Sequence, residues 1–569
     1  MNKSLFRTKK IENIIAEGAD ASHGGGLKRV LTVKDLTFFG IAAILGAGSF
    51  SSLGGAVFNG GPGVVVLFII TGIACAFTAF CYSDFASRIP VAGSAYTYAY
   101  ASFGELFAWI IGWALIMEYS IGNIYVSYSW SDYFTSLLDR INMHIPAYLS
   151  TSYMEAKHAI ASNTSNQEII DAWNNAPVIA GLKFIVDLPA LVINVLITIL
   201  AYIGIKESRN FSNLMVILKL GVVFLIILVG GYLVWNQHLT YNWLPLNNEG
   251  IHSFMPNGFS GVMAAVAGVF FAYIGFDAVS VLAEESKNPQ RDLPRGMIYS
   301  LVICTIIYIL LTLVLTGAVH YKNFEGVGDP LAFIFEKQNL NIPWMQLLVA
   351  ICAVVAMTSV LLVFQMGQPR IWMSMSRDGL LPPLFQKIHT KYKTPSFSTI
   401  VTGLVVGVPI IFTDKTFVLD FTSIATLFAF VLVCGGVLFL PRIEKQDGKF
   451  HLPFINAKYI FPFLIFLSAA IIAISFPKYF TDIFNFDVDE SALTYNISAI
   501  VFWAICLFLS VGAYLKNWSL IPLLGLVTCL YLLTGMTAMN WAWFGSWLLI
   551  GLLVYWFYGY KKSKLAQSV

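Results

Sequence analysis

Long apolar runs separated by short polar stretches organise the chain from residue 36 to residue 559. A membrane-spanning helix needs about 20 apolar residues. By that ruler the pattern predicts fourteen spans, near 36–58, 63–85, 95–134, 187–205, 212–235, 258–284, 296–319, 344–375, 397–413, 417–440, 457–477, 497–515, 518–536 and 540–559. The third and eighth exceed one span, and the third holds two apolar stretches, which leaves a count of fifteen open. Spans 13 and 14 are short and carry Pro522 and several Trp.

Two of these runs are interrupted. The first span reads GIAAILGAGSFSSLGG from Gly40 to Gly55, and the sixth reads GVFFAYIGFDAVSVLAEE from Gly268 to Glu285. Glycine costs roughly 1 kcal/mol against alanine within a helix, and in lipid every backbone polar group must find an internal partner. The functional reading is an unwound joint at Gly46-Ala47-Gly48-Ser49; the alternative is a small-residue face for tight packing. Two interrupted segments at matching positions of two halves point to a transporter binding site. The spacing therefore predicts inverted repeats over about 36–235 and 258–440. The expected organisation is a basic tail (1–34), a ten-span core (35–441), accessory spans 11–14 (442–560) and a short tail (561–569).

Composition sets the class. Of 569 residues 57% are hydrophobic and 11% charged, with mean hydropathy +0.74. Soluble domains carry about 25% charge, so the expected fold is an all-α integral membrane protein. A net charge of +3 implies no nucleic-acid partner. The seven cysteines lie in apolar runs, and neither they nor the eight histidines show metal-ligand spacing. No P-loop, HExxH or GxSxG occurs, so neither an ATP-driven pump nor a hydrolase is expected, nor any cofactor. The long polar N-terminal stretch does not read as a cleavable leader, so the first span serves as its own insertion signal. Lys and Arg concentrate in loops on the side of both termini, which predicts cytoplasmic termini, an even span count and a multi-pass cell-membrane location. The largest outer loop, 135–186, contains the sequon Asn163-Thr164-Ser165.

The candidate site follows from the interruptions. Backbone N–H groups at Gly46, Ala47, Gly48 and Ser49, with Ile44 beside them, suit a substrate carboxylate. Carbonyls freed around Ala272 and Ile274 suit an ammonium group, with Phe270, Phe271 and Phe276 walling the pocket. Asp277 is an intramembrane carboxylate, costly unless functional; it and Tyr119 are candidates for gating or support. Lys219, inside span 5, is either a snorkelling lysine or a titratable amine whose proton is lost readily on desolvation. Glu118, deep in span 3, needs a partner or a proton; Lys219 is the natural candidate, and a tilt-exposed glutamate or a structural hydrogen bond to a neighbouring span is the alternative. Tyr125 and Tyr128 read as packing or interface residues.

With these residues in hand, the chain resembles the cationic amino acid transporter family of the amino acid–polyamine–organocation superfamily. The matching stretches are DLTFFGIAAILGAGSF, CYSDFASRIPVAGSAYTYAYASFGELFAWIIGWALIMEY, MVILKL, GFSGVMAAVAGVFFAYIGFDAVSVLAEESKNPQRDLPRGMI, GQPRIWMSMSRDGLLPP and ATLFAFVLVCGGVLFL, covering about 30–440. The resemblance implies the five-plus-five inverted-repeat fold, alternating access between broken spans 1 and 6, and L-amino acid substrates. It also implies that Lys219 takes the place of a sodium ion, making a proton the coupling ion, and that Glu118 matches the family's span-3 glutamate. Ser49 stands where the family carries a branched apolar residue, and Phe364-Gln365 where a smaller residue is common; both bear on the side chain accepted, and Phe364 joins the candidate pocket. The expected function is proton-coupled amino acid symport within a lipid bilayer, favouring small or neutral substrates. Exchange without net proton movement, including of cationic amino acids or polyamines, is the alternative, and an amino acid sensor a lesser one. A small accessory membrane subunit is left open.

Overall fold

The computed structural model describes residues 7–9, 31–46, 48–89, 94–161, 167–179, 181–204, 209–247, 250–392, 394–440, 450–487 and 490–567. The molecule is a helical bundle whose described strands form one short antiparallel hairpin, Val178–Ile179 with Leu182–Lys183. Helical segments stand at all fourteen predicted positions. Among the described residues nine are long and apolar enough to cross a membrane, the first of these covering spans 1 and 2 together. Spans 4 (Leu188–Ile203), 9 (Ser396–Phe412) and 13 (Leu520–Leu533) are apolar but shorter.

The long third run resolves into two elements. A short helix, Ser94–Ser102, precedes a single continuous span 3, Glu105–Arg140. Gly104 separates them with φ of +96°, a conformation that L side chains rarely adopt. At 1.5 Å per residue, 36 residues extend about 54 Å, so span 3 projects beyond a 30 Å hydrocarbon layer.

Burial sorts the spans into centre and rim. The apolar window of span 3 is 89% buried, whereas that of span 11 (Ala457–Ser475) is 11% buried. Span 3 packs on span 8 (Pro343–Arg377) and span 10 (Lys415–Phe439), while span 7 (Pro289–Ala318) packs on spans 1 and 2. Rim helices present Phe466, Ile474, Phe508 and Leu228 outward. Such a belt would be an aggregation liability in water and is the expected surface in lipid.

Described residues near both ends of the chain meet at one end of the bundle. Glu105, fully buried, accepts from Arg7 Nη2 (3.0 Å), Tyr100 Oη (3.2 Å), Tyr555 Oη (2.9 Å) and Ser563 Oγ. Lys9 Nζ pairs with Asp378 at the end of span 8 (3.0 Å), and Tyr96 Oη donates to the same carboxylate (2.6 Å). The sequon at 163–165 lies outside the described residues.

Candidate functional site

Both interrupted spans are unwound in the structure. Span 1 runs as an α-helix over Val33–Ile44, breaks, makes a π-turn over Gly48–Ser52 and resumes over Leu53–Gly60. Span 6 is helical over Gly258–Ala264 and Val266–Phe271, breaks, and continues as a 3-10 helix over Asp277–Glu285. Ala47 lies outside the described residues.

The glycines set how closely the two joints approach. A Cβ on Gly48 would sit 2.5 Å from the Cα of Ala272, inside contact distance. Gly275 has φ of +115°, and a Cβ there would meet Ala43 at 2.9 Å. Each joint therefore carries a glycine against the backbone or the Cβ of the other span, which a helix with side chains at these positions would forbid. Gly46 is closed over by Val360 of span 8.

Much of the backbone released by unwinding is satisfied locally. Ser49 N and Phe50 N both reach Gly46 O, at 3.1 and 3.2 Å. Ser49 Oγ donates to Gly46 O (3.0 Å), so this hydroxyl supports the joint. Ser52 Oγ lies 2.7 Å from Gly48 O and 3.0 Å from Gly268 O, bridging the two spans. Tyr308 of span 7 has its hydroxyl 2.8 Å from Ile44 O and 2.6 Å from Ala272 O, one carbonyl from each joint. A phenol carries one proton, so these two carbonyls share a single donor. Tyr308, Ser52 and Ser359 carried no signal in sequence beyond being hydroxyls within apolar runs.

The aromatic candidates divide. Phe271 meets Tyr125 of span 3 edge-on at 4.5 Å. Phe270 and Phe276 instead turn to Phe430 of span 10, at 5.8 and 5.2 Å, and Phe276 also meets Tyr82 at 6.0 Å. Phe364 packs edge-on against Tyr119 at 5.5 Å, over Gly122. Gln365 turns to the seam between helices, where it accepts from Asn123 and donates to Thr198 Oγ1 (2.9 Å). Ile274 is buried beside the joint.

The ionisable candidates are buried but apart. Lys219 is 2% exposed, and its Nζ donates to Ser359 Oγ of span 8 at 2.6 Å. Ser359 precedes Val360, the residue covering Gly46, so the ammonium stands at the flank of the first joint. Glu118 is equally buried but faces Asp277 and Thr426. Among the described residues no ion pair joins it to Lys219, and its Oε2 has no hydrogen-bond partner. The expected Glu118–Lys219 partnership is therefore corrected: span 8 receives the lysine, whereas the glutamate points to spans 6 and 10. Asp277, at the start of the 3-10 helix, lies against the backbone N–H groups of Gly275, Asp277 and Ala278. No group of three or more metal-ligating side chains occurs among the described residues.

A cavity of about 810 Å3 leads toward the joints from the bundle end opposite the termini. Ser51, Ser52, Gly268 and Tyr125 lie on its floor.

The sequence is similar to known proteins over most of its length. The amino acid permease family matches residues 31–472, and the C-terminal region of amino acid permeases matches 520–563. The branched-chain amino acid permease BcaP of Bacillus subtilis is 40% identical over 79% of this chain and 89% of its own length. The methylthioribose transporter of the same organism is 38% identical over the same shares. The vacuolar cationic amino acid transporter 2 of Arabidopsis thaliana is 30% identical over 100% of this chain and 94% of its own length.

Proposed function

We propose, for a chain that belongs to the amino acid permease family, that it carries an L-amino acid through the space between the two joints by alternating access, coupled to a proton. The carrying observation is the pair of unwound joints at the foot of the cavity, held together through one tyrosine hydroxyl. The positive dipole end of the resumed half of span 1 suits a carboxylate. Ile44 O and Ala272 O share one donated proton, which leaves acceptor capacity for an ammonium group. An α-amino acid presents both charges on adjacent carbons, matching two joints in contact.

Lys219 is the proposed proton carrier. Its burial beside the first joint makes the charged form costly. Protonated, it holds spans 5 and 8 together through a charge-assisted bond to Ser359; deprotonated, it keeps only a weaker neutral bond there. The family's inverted repeats over 36–235 and 258–440 supply the two halves that rock. With cytoplasmic termini, as the charge distribution of the loops supports, the cavity faces outward at the cell surface.

Uptake by proteoliposomes tests this reading. An equimolar mixture of the twenty L-amino acids, with methylthioribose added because one relative is named for it, is read by mass spectrometry with and without an inward pH gradient. The expected result is amino acid accumulation driven by the gradient and abolished in Lys219→Met. Counterflow indifferent to pH would mark an exchanger; binding without accumulation, a sensor; and accumulation of methylthioribose alone would refute the amino acid assignment.

A further inference from the structure

The cavity is walled by charges of both signs. Asp132, Asp139, Glu155, Asp329 and Glu336 line it, against Lys415 and Arg140. The arrangement at its foot is specific. Lys415, at the start of span 10, pairs with Asp132 of span 3. The same ammonium lies over the Tyr125 ring, 5.7 Å from its centroid. Tyr125 in turn meets Phe271 at 4.5 Å, and its hydroxyl is 3.5 Å from Ser51 Oγ. The ion pair thus sits on the aromatic contact beside the joints. Higher up, Arg140 reaches Ser136 and, at 3.7 Å, Asp329, while its Nη1 has no hydrogen-bond partner.

We infer that the Asp132–Lys415 pair is a docking site for the α-amino and α-carboxylate groups of an amino acid on its way to the joints. This rests on the transport reading above. Both side chains keep contact with solvent, 30% and 19% exposed, so a ligand in the cavity can reach both charges. A zwitterion brings one charge of each sign. Its carboxylate replaces Asp132 on Lys415 and its ammonium replaces Lys415 on Asp132, so no charge is left unpaired. The amino acid then rests against Tyr125, whose edge-on contact with Phe271 lies toward the joints. The remaining carboxyls, Asp139, Glu155, Asp329 and Glu336, face its side chain. Ionised, as Glu155 and Asp329 are above about pH 7, they repel acidic side chains and accept neutral or basic ones, which makes the cavity a charge filter at alkaline pH, where the uptake below is read.

The test uses the full chain in proteoliposomes with the mixture of twenty L-amino acids at graded concentrations. Wild type is expected to accumulate aspartate and glutamate at least about tenfold less than neutral or basic amino acids, a difference of one decade in specificity. Lys415→Met is expected to raise KM about tenfold with Vmax within about twofold, and Lys415→Arg to keep KM within about threefold. A purely structural ion pair would instead lower Vmax and Tm and leave KM unchanged, overturning the proposal. Should Lys415→Met fail to fold, Glu155→Gln with Asp329→Asn decides. Glutamate accumulation rising about fivefold supports the filter, and an unchanged acidic-to-neutral ratio overturns it. If wild type accumulates none of the twenty, the transport reading fails; if wild type transports and KM ignores Lys415, the docking proposal alone fails.

Discussion

At the scale of single residues, Tyr308 does more than its place in an apolar run suggests. Its hydroxyl serves one carbonyl from each joint. Tyr308→Phe keeps the ring packing and removes the donor, leaving two buried carbonyls with less than they need, at a cost of about 1–3 kcal/mol. The expected outcome is a Tm lowered by a few degrees and uptake slowed severalfold, read by thermal unfolding in detergent and initial rates in liposomes. Ser49, which departs from the family pattern, donates its hydroxyl to Gly46 O and so supports the joint. Glu155, in the helix Tyr153–Ala161 outside the spans, has its carboxyl pushed up to about 7 by burial and then by the nearby Asp132. A carboxyl that binds its proton more tightly folded than unfolded adds stability below its ordinary range near 4.5, and that stability is lost as pH rises through about 7. Tm should therefore fall between pH 5 and pH 8, and Glu155→Gln should flatten that slope in a pH series of melting curves.

At the scale of elements, the joints depend on glycine for closeness more than for bending. A Cβ on Gly48 would lie 2.5 Å from the Ala272 backbone, and neither side is a flexible side-chain end. Gly48→Ala must push the two broken spans apart, and overpacking of this kind costs about 1–3 kcal/mol. Loss of amino acid binding, with the protein still folded by size-exclusion chromatography, is the expected result. Gly55→Ala is the control: nothing lies within 4 Å of the added methyl, so binding should be retained. The interruptions themselves were legible in sequence, since glycine and charge inside apolar runs have few other uses. Their partners were not, because Tyr308, Ser52 and Ser359 resemble any hydroxyl that bonds back to its own helix. Periodicity also left the third run unresolved, and only the turn at Gly104 divides it into a short helix and one continuous span.

At the scale of the whole molecule, Arg7 and Ser563 meet at one end of the bundle and the charged cavity opens at the other. Glu105 gathers Arg7, Tyr100, Tyr555 and Ser563, joining the N-terminal segment, span 3 and the last helix. Removing the carboxylate leaves these donors buried without their acceptor. Glu105→Ala should lower Tm more than any of the joint variants, because breaking a buried pair from one side costs about 3–5 kcal/mol. Arg7→Ala alone should cost less, since three hydroxyl donors remain; the ranking is read from melting curves of the two variants.

The sequence by itself determined the class, the span positions and the two interruptions, because apolar run length and misplaced glycines are properties of adjacent residues. The identity of the ionisable residues was equally plain, since a charge inside a span stands out by its cost. Which groups meet was decided only by tertiary packing. Lys219 and Glu118 are a natural pair by charge, yet span 8 receives one and spans 6 and 10 face the other. Asp132 and Lys415 are 283 positions apart and form the pair at the foot of the cavity. Contacts between helices depend on rotation and crossing of whole elements, which no local pattern encodes. The joints were therefore readable from the chain, while the donors that serve them and the charges that guard them were visible only in the folded molecule.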